Sequence, residues 1–428
     1  MLRKRQLGQL FGDLVLYSLA FLLTLYIRYG NSISEQIPAH FAPFAFLFIW
    51  WVMLFYINDL YELEFTRNWI FVIRKIVSVC VVATLGAALI FYFFGGMLTV
   101  APKTNLILFS LLFSFFIVSA RLYVVMRRRV SPLSVLLLGE SEEIKTLEHY
   151  FADKFTNVVR VSTMTEQEFS KYIGNTTLAY IIFDEKEKQM LTAFHVLMPL
   201  LRADVKIMTT TSAYEYIFKK IPIKEISSAW FLEYIHLKKL PFDPIKRIID
   251  IVFSAILIVA LSPIFIICGL LVLLFTGQPI IYSQERVGKN GKLFRLRKFR
   301  SMVRDAENTG PQWSMEKDPR VTKLGKFLRA SHLDEIPQLF SIFAGKMSFV
   351  GPRPERPHFV ESLAKDIPYF EIRHAIKPGL TGWAQIRHGY TSDTAAFFEK
   401  FQYDLYYIKN RSLVFDALVV LKTVRKFM

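Results

Sequence analysis

Four apolar runs in series constrain this chain more than any other feature. They lie at roughly 9–27, 41–57, 71–95 and 104–125, each near the about 20 residues that a helix needs to cross a bilayer. A bilayer core offers the backbone no water, so each run is expected as a helix. Four long runs in succession speak against buried helices of a soluble protein. Lys and Arg placement then sets the orientation. Arg3, Lys4 and Arg5 precede the first run, Arg67, Arg74 and Lys75 lie around the second connection, and Arg127–Arg129 close the fourth run. The first and third connections carry only Arg28 and Lys103. Both ends of the bundle are therefore expected to face the cytoplasm. The first run is too long for a signal peptide and lacks a small-residue cleavage site.

Composition agrees. Hydrophobic residues make up 53% and aromatics 15%, with 40 Phe and a mean hydropathy of +0.33, as expected for a chain in contact with lipid. The formal net charge is +17. Nucleic acid, anionic headgroups and phosphorylated substrates would all suit that charge, and the long apolar runs place lipid and phosphate ahead of nucleic acid. Cys80 and Cys268 both sit inside apolar runs, so neither a disulfide framework nor a cysteine metal site is expected.

Residues 131–240 read as a soluble, Rossmann-like α/β domain. Ser134–Gly139, Tyr180–Asp184 and Val205–Thr209 are strand candidates with helical stretches between them, an alternation that suggests a small parallel sheet. The first turn, Gly139-Glu140-Ser141-Glu142, lacks the glycines of a dinucleotide fingerprint, and acidic side chains there would repel a pyrophosphate. Tyr150–Lys154 and Tyr216–Lys220 have the spacing of a short-chain dehydrogenase pair, but without the glycine loop they read as coincidence. A structural or regulatory role is expected.

A fifth apolar run, 251–275, falls in segment 241–276. Its length would allow a span, but Ser262-Pro263 interrupts it, and proline removes a hydrogen bond and kinks a helix. Basic residues flank both sides, with Lys246 and Arg247 before it and Lys289, Lys292, Arg295, Arg297, Lys298 and Arg300 after it. A re-entrant helix broken at Ser262-Pro263 keeps both flanks cytoplasmic, and a straight span does not.

The polar, basic remainder, 277–428, holds the candidate chemistry. In Arg295–Met302, basic and apolar residues alternate, so an extended segment would place cations on one side. The row suits either a diphosphate or anionic lipid. Asp334-Glu335 precedes an apolar pattern of Ile336, Leu339, Phe340 and Phe343 that ends at Gly345. With Asp334 as N-cap, Pro337 falls in the first helical turn and the carboxylate sits at a helix's positive end. The competing register makes Ser331 the N-cap of a Ser-x-x-Asp capping box. Pro337 strains that register, because it would lie beyond the free N–H groups. In Gly351–Pro357, prolines hold Arg353 and Arg356 with little entropy left to lose, as either a phosphate clamp or a surface polyproline segment. In Lys377–Gln385, glycines would let backbone approach a ligand, and Trp383 either stacks on a base or packs in the core.

Together these residues resemble the monotopic phosphoglycosyl transferases, in particular their long subclass. The likeness rests on Lys246-Arg247 with Asp250, Ser262-Pro263, Lys298–Met302, Asp318–Thr322, Leu333–Leu339, Met347–Pro354 and Pro378–Gln385. His332 and Phe349 depart from the usual text. The resemblance implies a mixed α and α/β membrane protein. Its parts are a four-helix transmembrane bundle over 1–130, the α/β domain over 131–240, the re-entrant helix over 241–276 and a mainly α cytoplasmic catalytic domain over 277–428. It also implies transfer of a sugar 1-phosphate from a UDP-sugar to undecaprenyl phosphate, with release of UMP. Asp334 would be the nucleophile, with Glu335 assisting and both holding Mg²⁺. Lys298, Arg300, Arg320, Arg353, Trp383 and Gln385 would bind substrate and phosphate. A homodimer in the bacterial inner membrane is expected, with no nucleic-acid partner. The competing readings are a membrane-tethered nucleotide-sugar dehydratase and a non-catalytic scaffold for polysaccharide assembly.

Overall fold

A computed structural model describes residues 4–58, 60–61, 69–94, 103–130, 134–152, 157–162, 168, 171, 178–184, 205–226, 228–235, 240–304, 306, 310, 318–388 and 394–427. The chain divides into two compact units, 1–209 and 210–428.

The first unit opens with helices α1 (Lys4–Tyr29), α2 (Ile33–Ile57), α3 (Trp69–Phe94) and α4 (Lys103–Val130). By length and composition, the stretches Leu7–Ile57, Val72–Leu89 and Thr104–Val124 are apolar enough to cross a membrane, the first holding both α1 and α2. Tyr17 Oη donates to Phe44 O at 2.6 Å, so α2 folds back along α1. Asp13 accepts both hydrogen bonds of the Arg121 guanidinium at 2.9 and 2.8 Å, pinning α1 to α4. Trp50 Nε1 donates to Ala83 O at 3.0 Å. Gly86 makes room for that indole, since a Cβ there would lie 2.4 Å from it. Tyr17, Phe44, Trp51, Phe109 and Phe113 are buried among the four helices, while Phe11, Phe46, Ile49, Leu85 and Phe115 are exposed. Helices apolar on both faces suit a lipid surrounding. Of the residues that set the expected orientation, Arg3 and Arg67 lie outside the described residues, as do the side chains of Lys4, Arg5, Lys103 and Arg127–Arg129.

A four-stranded parallel sheet follows, in the order β2-β1-β3-β4. Its strands are β1 (Ser134–Leu138), β2 (Asn157–Val161), β3 (Leu178–Phe183) and β4 (Lys206–Thr209), with helix α5 (Glu142–Ala152) after β1. β1 is buried throughout, as a central parallel strand should be. β2 was not among the strands expected from the sequence; its Arg160 interrupts an otherwise short valine run. The helical stretches expected on either side of β3 lie almost wholly outside the described residues, as does Lys154. Asp184, just after β3, fills the turn after β1. Ser141 Oγ donates to it at 2.9 Å. Gly139 takes φ +124°, and a Cβ there would meet the Asp184 carboxylate at 2.2 Å. A fixed carboxylate thus stands where a dinucleotide-binding turn would receive phosphate.

In the second unit, Ile221, Ile223, Ile226 and Phe231 share a core with Phe370, Trp383, Phe401 and Leu405. Lys220, of the second Tyr-x-x-x-Lys spacing, pairs with Glu399 at 2.7 Å. The fifth apolar run forms two half-helices, Phe242–Ala260 and Ser262–Thr276, bent by 61°. Pro263 has no N–H to carry the ladder across the break. Ser262 Oγ donates back to Val259 O at 2.8 Å. Asp250, buried on the first half-helix, accepts from Ser348 Oγ and Phe349 N at 3.1 Å each. This ties the half-helix to β7 (Ser348–Val350), which pairs in parallel with β8 (Gly379–Thr381). An antiparallel hairpin joins β5 (Ile281–Val287) to β6 (Leu293–Phe299).

Candidate active site

Three short segments build the site. The first is β6, whose alternation turns Phe294, Leu296 and Lys298 one way and Arg295 and Arg297 the other. The second begins with helix Lys323–Ala330, capped by Thr322 Oγ1 accepting from Gly325 N at 2.9 Å. A Cβ at Gly325 would lie 1.9 Å from Ser301 O, so the helix packs directly on backbone. The third is the Gly351–Pro357 turn that follows β7.

After helix Lys323–Ala330 the chain reverses through His332, which is left-handed at φ 55°. A 3-10 helix, Leu333–Gln338, follows and leads into helix Leu339–Phe343. This corrects both capping registers. Asp334 lies inside the 3-10 turn rather than at an α-helix N-cap, and Ser331 caps the preceding helix's C-terminus, with its Oγ donating to Phe327 O at 2.8 Å. Pro337 lies inside this 3-10 segment, and its missing N–H leaves one i→i+3 bond of the short ladder unmade. The expected apolar face is also revised. Leu339 and Ile342 are buried, whereas Phe340 and Phe343 are exposed.

The turn brings Asp334 and Glu335 beneath β6. Lys298 Nζ donates to Glu335 Oε1 at 2.5 Å, and an Arg353 guanidinium nitrogen donates to the same oxygen at 3.1 Å. Burial alone would push Glu335 up, but Lys298 and then Arg353 outweigh it and hold the carboxyl well below the usual range. Burial pulls the Lys298 ammonium down, partly offset by Glu335. Asp334 is only 5% exposed. Burial raises its pKa against the opposing pull of Lys298. The result is one carboxylate held firmly ionised and one desolvated neighbour beside an ammonium, an arrangement suited to nucleophilic attack on an electron-poor centre.

The other expected site residues are engaged elsewhere. Arg300 is buried and donates to Gln278 O at 2.6 Å and to the carbonyls of Thr276 and Gly277. It thereby caps the second half-helix's last carbonyls. Arg320 forms a two-pronged pair with Asp318 at 2.8 and 2.6 Å. Trp383 is buried against Tyr406 and Phe415, with Nε1 donating to Lys219 O at 2.9 Å. Gln385 Nε2 reaches Leu380 O at 3.4 Å. The glycines expected to face a ligand instead let backbone meet backbone. A Cβ on Gly379 would lie 2.1 Å from Gly351 N, and one on Gly382 would lie 2.3 Å from Gly351 O.

A buried charge network that the sequence did not signal holds the Arg353 turn. Arg373 donates to Arg353 O at 2.9 Å and to Asp404 at 3.0 Å. Glu355 pairs with Lys400 at 2.8 Å, and Arg286 reaches Pro354 O at 3.3 Å. Glu355 lies in the Gly351–Pro357 stretch, but its partners lie on segments remote in sequence.

Among the described residues, no group of three or more His, Cys, Asp or Glu is placed to hold a metal. The donor set is the adjacent pair Asp334 and Glu335. Both protein contacts to Glu335 fall on Oε1, so Oε2 remains open among the described residues. Mg²⁺ is commonly held by one or two carboxylates with substrate phosphates completing the shell, and this pair fits that pattern.

Residues 242–428 match the family model described as bacterial sugar transferase. The chain is 43% identical over 181 residues to UDP-N-acetylgalactosamine-undecaprenyl-phosphate N-acetylgalactosaminephosphotransferase of Aeromonas hydrophila, covering 42% of this chain and 43% of that protein. It is 39% identical over 184 residues to UDP-glucose:undecaprenyl-phosphate glucose-1-phosphate transferase of Escherichia coli (strain K12), covering 42% and 40%. It is 37% identical over 189 residues to exopolysaccharide production protein PSS of Rhizobium leguminosarum bv. phaseoli, covering 42% of this chain and 93% of that one. The matched region thus spans less than half of the first two relatives and nearly all of the third.

Proposed function

The chain belongs to the bacterial sugar transferase family, and we propose that it transfers a sugar 1-phosphate from a UDP-sugar to undecaprenyl phosphate. The observation that carries this reading is buried Asp334 beside half-buried Glu335, with Lys298 and Arg353 converging on Glu335. The names of the relatives, which include N-acetylgalactosamine- and glucose-phosphate transferases acting with undecaprenyl phosphate, support it.

In the first step an Asp334 carboxylate oxygen attacks the phosphorus bonded to the sugar. The O–P bond to Asp334 forms as the bridging P–O bond breaks, and UMP leaves with the electron pair. In the second step a phosphate oxygen of the lipid attacks the same phosphorus. The Asp334 O–P bond breaks, the carboxylate is restored and undecaprenyl-diphospho-sugar is released. Splitting one displacement into two in this way is what a carboxylate nucleophile offers. Lys298 and Arg353 stabilise the charge gathering on the equatorial oxygens, and Glu335 holds both in place. Mg²⁺ bound by Asp334 and Glu335 with the donor phosphates would supply further neutralisation of the diphosphate.

The same reading makes α1–α4 a transmembrane bundle. It makes the half-helices at Ser262-Pro263 a re-entrant pair, so that the site stands at the cytoplasmic face of the inner membrane. The 61° bend and the basic flanks support this. A homodimer belongs to the same proposal. The test is UMP release from a panel of UDP-sugars with undecaprenyl phosphate and Mg²⁺. One sugar is expected to release UMP, and Asp334→Ala to abolish the release. No UMP with any sugar overturns the reading, and a non-catalytic scaffold would keep its function in the Asp334→Ala chain.

A further inference from the structure

β6 serves two places at once. Lys298 on its inner side joins Glu335. Arg295 and Arg297 face the other way and, with Lys346, line a cleft of about 510 Å³ between the hairpin and helix Leu339–Phe343. All three cations are exposed, and none forms an ion pair among the described residues. That includes Glu285, the cross-strand neighbour of Arg295 and the one carboxylate in the lining. Leu293, Phe294, Phe340 and Ala344 contribute hydrocarbon to a lining that also holds Ser341.

That wall is continuous with the bent half-helices. Phe294 shares a cluster with Leu339 and Ile342, against which Leu257, Ile258 and Leu261 pack. Phe340 stands edge-on to Phe265 of the second half-helix, with ring centroids 5.8 Å apart. The volume is that of a small-ligand site. Paired cations whose hydrocarbon neighbours run on into the half-helices match a phosphomonoester carried on an apolar chain.

We propose that this cleft receives the polyprenyl phosphate acceptor. Arg295, Arg297 and Lys346 hold the phosphate, and Phe340 and Leu293 hold the first isoprene units. The proposal rests on the transfer reading above and adds where the acceptor docks. Arg297 and Lys298 are adjacent on β6 but on opposite faces, so the phosphate must round the strand to reach the Asp334 side.

The full chain in nanodiscs tests it, comparing wild type with Arg295→Gln/Arg297→Gln/Lys346→Gln. With UDP-sugar and no acceptor, both proteins should release the same UMP burst. With acceptor, the triple variant should show a KM for undecaprenyl phosphate raised at least about tenfold, with kcat within about twofold, as loss of charge-assisted phosphate contacts implies. An unchanged KM, or a lost burst, overturns the cleft assignment. So does a KM shift that vanishes when anionic phospholipid is omitted, which would assign the cations to the bulk membrane. Titration of a short-chain polyprenyl phosphate into the Asp334→Asn protein gives a readout independent of turnover. Binding should persist there and weaken when the three Gln substitutions are added. Equal binding with and without them contradicts the proposal even if the transfer reading itself fails.

Discussion

The Arg373 guanidinium donates to the backbone carbonyl of Arg353 at 2.9 Å. Arg353 therefore reaches Glu335 from a turn that is held from behind. Arg373 is 3% exposed and its other partner, Asp404, is 2% exposed. Arg373→Met would strand a buried carboxylate, at about 3–5 kcal/mol of stability. Arg373→Met/Asp404→Leu should recover most of the thermal stability without recovering turnover, because the Arg353 carbonyl still lacks its donor. Parallel melting and UMP-release measurements check this, and full recovery of both would reduce Arg373 to a structural role.

Asp334 is expected to lower stability while it supports chemistry. Burial raises its folded pKa above the ordinary carboxyl value. Its ionisation therefore opposes folding, and stability falls as pH rises through the window between the ordinary and the folded values. Asp334→Asn should melt at a higher temperature than wild type at pH 7 and release no UMP. At a pH below the ordinary Asp range, the difference in melting temperature should shrink.

Glu335 has the opposite sign. Lys298 and Arg353 outweigh burial and depress its folded pKa, so it contributes stability at neutral pH that is lost as the solution is acidified below the ordinary Glu value. Lys298→Met should move the acid limb of the pH–rate profile upward, because Glu335 then protonates more readily. It should also lower kcat by about 10²–10³, as expected when a charge-stabilising donor is removed. A pH–rate series on both proteins measures the two effects together.

Gly382→Ala should destabilise by about 1–3 kcal/mol, the usual effect of overpacking, because the new Cβ would lie 2.3 Å from Gly351 O. The KM for UDP-sugar in the folded fraction should change little if these glycines serve backbone packing. A raised KM with unchanged stability would return them to ligand contact.

The membrane-suited helices, the break at Ser262-Pro263 and the parallel sheet were legible because each rests on local periodicity or on proline. The cluster of Asp334, Glu335, Lys298 and Arg353 was legible through motif text, although no local rule anticipated the 3-10 turn. That turn depends on His332 taking a left-handed conformation, which side-chain chemistry does not announce. Arg300 and Arg320 were expected to bind phosphate because of the family resemblance. The Arg320 partner, Asp318, is only two residues away, whereas the Arg300 partners, the carbonyls at and just after the end of a half-helix, are set by tertiary geometry. The Arg373–Asp404 pair was invisible for the same reason, its partners being joined only in the folded core.

A nucleophilic Asp334 becomes covalently modified during turnover. The direct measurement is intact-protein and peptide mass spectrometry after incubation with the accepted UDP-sugar and Mg²⁺, with no polyprenyl phosphate present. One sugar phosphate added at Asp334, one equivalent of UMP released and discharge of the adduct when undecaprenyl phosphate is added are the expected results. UMP that appears only when the lipid is present, with Asp334 unmodified throughout, would mean that the lipid attacks the donor directly and that Asp334 is not the nucleophile.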